Sequence, residues 1–215
     1  MRQSLICNII WNMKFPFGSP KGEENFLSQP EKPISEKKES FWDLIKFAIL
    51  LTVIVVPFRM YIAQPFIVDG ASMDETFHEG DYLIVDEISY SLRNPERGEV
   101  IIFKNPTNLS QYFIKRIIGL PGETVKVRQN RVEITTLDGK KITLGEPYLG
   151  SNGNRFATQT LESDEYFVMG DNRSVSYDSR MWGPLKENLI KGRAFLRLFP
   201  PKTISYLPGD YNFEN

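Results

Sequence analysis

Thr124-Val125-Lys126-Val127 and Arg131-Val132-Glu133-Ile134 alternate apolar and polar residues across a short polar break. Strict period two is the spacing of a half-buried strand, not of a helix, and two such runs around a few polar residues predict a hairpin. Downstream, Lys141-Ile142-Thr143-Leu144 follows Asp138-Gly139, a strong tight-turn signal. Upstream lie Tyr82-Leu83-Ile84-Val85, Val100-Ile101-Ile102-Phe103 and Tyr112-Phe113-Ile114. Beyond it come Tyr166-Phe167-Val168-Met169 and Ala194-Phe195-Leu196-Arg197-Leu198. Many short strands separated by turns predict a mainly β domain over 63–215. The turn at 138–139 and the polar stretch 150–160 predict a β-rich insertion around 120–164. No internal repeat interrupts this pattern.

The N-terminal part reads differently. Residues 14–40 are rich in Pro, Gly, Lys, Glu and Ser without apolar periodicity. Such a composition cannot bury enough surface to offset its ordering entropy, so a flexible tail is predicted over 1–40. Met13-Lys14-Phe15 within it reads as an alternative translation start, which N-terminal sequencing tests. An uninterrupted apolar run from Phe47 to Phe58 follows. It is shorter than the ~20 residues of a usual membrane span. However, Lys46 and Arg59 stand near its ends, and Trp42 and Tyr61 suit the interfaces. The run also lacks the polar face of a helix packed on a soluble core. A transmembrane anchor over 41–62 is therefore expected, with membrane lipid around it. A cleaved secretory signal is disfavoured by the long polar segment ahead of the run.

Composition excludes several functions. The formal net charge is -1, which does not suit nucleic acid as the main partner. The single cysteine, Cys7, permits no intrachain disulfide. One His and one Cys far apart cannot build a usual zinc site, so no metal is expected. His78, the only histidine, sits in a Phe-His-Glu-Gly stretch that reads as an exposed turn rather than as part of a Ser-His-Asp triad. No phosphate-binding or dinucleotide fingerprint is present, and no cofactor is expected. Nucleophilic catalysis remains open if a lysine replaces histidine as base.

Three segments carry a resemblance. Phe66-Ile67-Val68-Asp69-Gly70-Ala71-Ser72-Met73 is similar to the nucleophile box of bacterial type I signal peptidases. Phe113-Ile114-Lys115-Arg116-Ile117-Ile118-Gly119-Leu120-Pro121-Gly122-Glu123 resembles the box with that family's general-base lysine. Gly170-Asp171-Asn172-Arg173-Ser174-Val175-Ser176-Tyr177-Asp178-Ser179-Arg180 resembles its structural box beside the site. All three occur in the family's order, from the anchor to about Leu198.

The resemblance implies an antiparallel-sheet catalytic domain of signal-peptidase type with one N-terminal transmembrane helix. It implies a serine endopeptidase with Ser72 as nucleophile and Lys115 as base. Lys115 must then be neutral, and its neighbours Phe113, Ile114, Ile117 and Ile118 would favour that by excluding water. Alternation places Phe113, Lys115 and Ile117 on one strand face and Arg116 on the other. The Ser72 amide would serve the oxyanion, while Gly70, where some relatives have serine, offers no side-chain donor. Ser176 would orient Lys115, and an Asp178–Arg180 ion pair would brace its loop.

Phe66, Val68 and Ile114 would line shallow pockets for small residues at the -1 and -3 positions. Substrates would be secretory preproteins, cut at the extracytoplasmic face of the cell membrane by a single-pass enzyme. One position departs from the family. Glu75 stands where proline is common, and losing proline would loosen the turn after the nucleophile without removing a reacting group. Two other functions compete: a soluble self-cleaving Ser-Lys peptidase, and an impaired, anchored β-domain that binds exported proteins.

Overall fold

Period-two burial runs through the hairpin. Val125, Val127, Val132 and Ile134 are buried while Lys126 and Glu133, between them, are only half-covered. In the computed structural model, which describes residues 41–57, 63–129, 131–150 and 153–213, this hairpin belongs to the smaller of two sheets. The predicted tail and alternative start lie outside the described residues.

The strands in chain order are β1 (Ala63–Ile67), β2 (Tyr82–Asp86), β3 (Val100–Asn105), β4 (Asn108–Gly119), β5 (Thr124–Arg128) and β6 (Arg131–Thr135). They continue as β7 (Lys141–Thr143), β8 (Ala157–Thr160), β9 (Glu165–Met169), β10 (Leu185–Lys186), β11 (Ile190–Phe199) and β12 (Ser205–Tyr206). The larger sheet has the order β1-β2-β11-β3-β4-β9-β10, with β12 added to β11. The smaller has the order β7-β6-β5-β8, and every paired neighbour in both sheets is antiparallel. The smaller sheet is made from residues 124–160, between β4 and β9.

Each run read as a strand lies in one, except that Leu144 falls just past the end of β7. The sequence did not reveal β1, which contains Pro65, or β8, whose Ala-Thr-Gln-Thr carries little apolar signal. It also underestimated β4, a twelve-residue strand, because Lys115 and Arg116 interrupt the apolar pattern. Both charged residues are buried, since β4 is covered on its two faces from Lys115 to Gly119.

Three apolar clusters hold the sheets. Val68, Met73, Phe77, Leu83, Val85, Val100, Ile102 and Ala194 form one cluster, which includes residues of the loop between β1 and β2. Ile101, Phe103, Ile117, Tyr166, Val168 and Leu185 pack a second region of the larger sheet. Ile118, Phe167 and Met169 join Val125, Val127, Val132 and Ile134, so β4 and β9 share a core with the smaller sheet.

The segment expected as an anchor contains helix α1, Phe41–Pro57, and residues 58–62 lie outside the described residues. Among the described residues no helix is long and apolar enough to cross a membrane. The side chains of 41–56 are exposed apart from half-buried Ile45. Two further helices of one turn each, α2 (Ser89–Leu92) and α3 (Ser179–Trp182), sit in connections.

Candidate active site

Ser72 is held in a loop between β1 and β2 that coils back on itself. The Asp74 amide donates to the Ala71 carbonyl at 3.3 Å, and the Thr76 and Phe77 amides donate to the Met73 carbonyl at 3.0 and 2.8 Å. The adjacent Met73 and Phe77 are wholly buried and fix this coil to the core. Gly70 enters it with φ +85°, a left-handed conformation that glycine adopts without steric cost. From the other side, the Asn172 amide donates to the Ser72 carbonyl at 3.1 Å.

Lys115 comes from β4, paired with Ile101 of β3. Its Nζ lies 2.7 Å from Ser72 Oγ and 2.8 Å from the Ile114 carbonyl oxygen. The residue is only 3% exposed, and the Phe113 ring centroid is 5.3 Å from Nζ. Burial pushes the lysine pKa down to about 8, against the opposing pull of the Asp178 and Asp171 charges. A nucleophile and a base within hydrogen-bond reach, the base depressed toward neutrality, form a pair able to attack a carbonyl.

The pair opens onto an apolar cleft of about 420 Å³. One wall is Phe66, Val68 and Gly70 and the other is Tyr112, Phe113 and Ile114, with Ile102 and Leu83 also lining it. Phe66 and Tyr112 meet edge to face at 5.3 Å across the cleft, and Tyr177 meets Phe113 at 6.4 Å.

Three buried ion pairs surround the site. Arg180 grips Asp178 through Nε and Nη2, each at 2.8 Å, and donates from Nη2 to the Arg173 carbonyl at 3.0 Å. Burial pushes the Asp178 carboxyl up, but the Arg180 hydrogen bonds and charge, Ser176 and the Gly170 amide outweigh it and hold it below the usual carboxylate range. Arg116 pairs with Asp171, whose Oδ2 also accepts from the Thr76 hydroxyl at 2.5 Å. Arg173 pairs with Glu146 of the 144–156 connection.

Comparison with known proteins places this geometry. Residues 41–199 match the family described as signal peptidase, peptidase S26. The chain belongs to that family. A protein named "Probable signal peptidase I-2" from Synechocystis sp. is 36% identical over 89% of this chain and 88% of its own. A signal peptidase I from Bacillus amyloliquefaciens is 35% identical over 79% of this chain and 91% of its own. A crystal structure of a signal peptidase I from Enterococcus faecalis V583, 34% identical, covers 47% of this chain and 97% of that one, with a TM-score of 0.41. The chain is thus a hydrolase, a serine endopeptidase of signal peptidase I type.

Within the peptidase, the residues singled out from sequence fall as follows. Ser72 and Lys115 meet directly, and Phe66, Val68 and Ile114 line the cleft beside them. Phe113 and Ile117 share one core region while Arg116 points to Asp171, the division alternation predicted. Asp178 and Arg180 form an ion pair, with both side chains almost completely buried. Ser176 differs from its expected role. Its Oγ is buried, influences Asp178, and makes no hydrogen bond to Lys115. The space beside it is taken up by the Gly170 backbone, where a Cβ would come within 2.3 Å of Ser176 Oγ.

Glu75 also needs correcting. Its φ is +83°, which proline cannot adopt, so the turn here is a different conformation and not a loosened version of the proline one. Its side chain extends over Gly150, where a Cβ would come within 2.1 Å of Glu75 Cγ. His78 is exposed, as its turn context suggested. Sequence reading missed Tyr112, Val175 and Tyr177 as cleft residues. The alternating aromatic at 112, on the same strand as Ile114, was the available signal for the first.

Proposed function

We propose that this peptidase removes signal peptides from secretory preproteins, with Ser72 as nucleophile and Lys115 as general base. The observation that carries the reading is the 2.7 Å separation of Lys115 Nζ and Ser72 Oγ at the edge of an apolar cleft. Neutral Lys115 takes the hydroxyl proton as Ser72 Oγ attacks the scissile carbonyl carbon. The resulting ammonium returns that proton to the leaving amine, and the acyl-serine ester remains. Lys115 then deprotonates a water that attacks the ester, and the proton passes back to Ser72 as the signal peptide leaves.

The Ser72 amide supports the oxyanion, as it has no hydrogen-bond partner among the described residues. Gly70 contributes open space and not a donor, since nothing lies within 4 Å of where its Cβ would stand. Asp178 and Arg180 brace the loop that carries Ser176 behind the base. Phe66, Val68 and Ile114 leave room for small residues at the -1 and -3 positions, because bulky walls make a shallow pocket. The peptidase is anchored in the cell membrane by the segment around α1, with the catalytic domain on the extracytoplasmic side. The exposed apolar side chains of α1, from Phe47 to Val56, support this, since a helix apolar all round requires a nonaqueous surrounding.

The test is cleavage of a preprotein with an Ala-X-Ala site in detergent. Wild type should cut after the second alanine, and Ser72→Ala and Lys115→Ala should not. A folded wild type that binds the preprotein without cutting it would favour the binding-module function instead.

A further inference from the structure

Beyond Phe199, where the family match ends, the chain doubles back over the nucleophile coil. The Leu207 amide donates to the Phe195 carbonyl at 2.8 Å, which fastens the start of this segment to β11. At its other end Phe213 packs against the core of the smaller sheet, and Tyr211 and Phe213 meet Tyr148 at 5.4 and 6.2 Å. Gly98 lets the segment pass, because a Cβ there would come within 1.7 Å of the Tyr211 carbonyl oxygen.

Between these fastenings stands Gly209, at φ +77°. A Cβ on it would lie 2.5 Å from Thr76 Cγ2 and 3.0 Å from Phe77 Cε2. Its carbonyl accepts from Arg116 Nη1, the guanidinium that also holds Asp171. Asp171 in turn holds the Thr76 hydroxyl, and its neighbour Asn172 holds the Ser72 carbonyl. Thr76 is therefore held at its hydroxyl by Asp171 and at its carbonyl by Arg197 Nη1 at 2.9 Å, and the backbone of residue 209 stands against its Cγ2. It also closes the coil that carries Ser72 through its bond to Met73.

We propose that Leu207–Phe213 is a positioning strap, and that Gly209, acting through Thr76, sets where Ser72 Oγ stands relative to Lys115. This rests on the reading of Ser72 and Lys115 as the reacting pair. Gly209 touches no substrate and takes no part in proton transfer. Its contribution is placement, and misplacing a reacting atom by about 1 Å can cost ~10²-fold in rate.

The test is a double-substitution cycle. Gly209→Ala should lower kcat about ten-fold, with KM for the preprotein changed less than about two-fold, because the cleft walls are elsewhere. T76S removes the Cγ2 that the new Cβ would strike and keeps the hydroxyl for Asp171. In the T76S background the loss from G209A should shrink to about two-fold. The strap is overturned if the loss is equal in both backgrounds, if G209A turns over as wild type does, or if the change falls in KM.

Should G209A fail to fold, which its left-handed φ suffices to cause without any contact to Thr76, T76S alone serves. It removes the Cγ2 that faces residue 209 and should lower kcat with KM kept, and wild-type turnover in it overturns the proposal. The same coupling is read without turnover from denaturation midpoints. Ser72→Ala therefore tests the dyad separately: full turnover in that variant removes the reading of the pair, while uncoupled midpoints remove the strap.

Discussion

The guanidinium of Arg116 holds the carboxylate of Asp171 through two buried hydrogen bonds, from Nε at 2.9 Å and Nη2 at 2.6 Å. The pair joins β4 to the loop after β9, and its other contacts reach Gly98, Gly209 and the face of Tyr148, 3.9 Å from the guanidinium. Breaking such a pair leaves an uncompensated buried charge, which costs about 3–5 kcal/mol. We expect Arg116→Ala to lose that much stability in urea denaturation and to lose turnover with it. A loss below about 1 kcal/mol would mean that water reaches Asp171 readily.

The pH–rate profile should report Lys115. With its pKa near 8, the reactive neutral fraction falls about ten-fold for each pH step below that value. The logarithm of kcat/KM should rise with slope one up to about pH 8 and then level. Lys115→Arg should be inert across the whole range, because a guanidinium stays protonated. A profile flat from pH 6 to 10 would remove lysine as the base.

The same depressed pKa makes stability depend on pH. Below about 8 Lys115 is charged in folded and unfolded chains alike, and its burial penalty is constant, about 3 kcal/mol. Between about 8 and the unfolded value of ~10.4, the unfolded chain binds more protons, so this group's contribution to stability rises with pH. Wild type compared with Lys115→Met should therefore gain relative stability from pH 8 to 10, measured by chemical denaturation at each pH. A constant difference would show that the lysine is not buried as described.

Glu75 separates two views of the nucleophile turn. Proline fixes φ near -65°, whereas Glu75 sits at +83°. Glu75→Pro should lower turnover and cost more than about 1 kcal/mol. Glu75→Gly, which relieves a left-handed side chain, should keep turnover and leave stability equal or higher. Equal behaviour of the two variants in thermal denaturation and turnover would contradict the observed conformation.

Cleft width should govern residue choice. Ile114 lines the cleft beside Lys115, and truncating it enlarges the wall without touching Ser72. Ile114→Ala should raise cleavage of a Val-containing site relative to its Ala counterpart by about ten-fold, the worth of a few methylenes in an apolar pocket. Paired peptides differing only at the -1 residue measure this ratio.

Much of this was legible along the chain. The apolar–polar alternation at 124–134 placed the hairpin, and the resemblance of the segments around 72 and 115 to signal-peptidase boxes proposed a nucleophile and its base. Those signals are local, because side-chain direction in a strand repeats every two residues whatever packs against it. The surroundings of the dyad were not legible. Lys115 and Arg116 look like a charged break in a strand, and they are buried because both faces of β4 are covered.

Arg116 finds Asp171 at a separation of 55 positions, and Thr76 finds it at 95. Ser176, which its motif assigned to Lys115, lies instead beside Asp178 and Gly170. Glu75 adopts a backbone angle that its residue type disfavours, and Gly209 reaches the nucleophile coil only because the chain returns across it. Alternation placed the strands, and the family resemblance proposed which groups react. Burial, charge pairing and the return of distant segments, which arise only once the sheets pack, set the pKa of Lys115 and the position of Ser72.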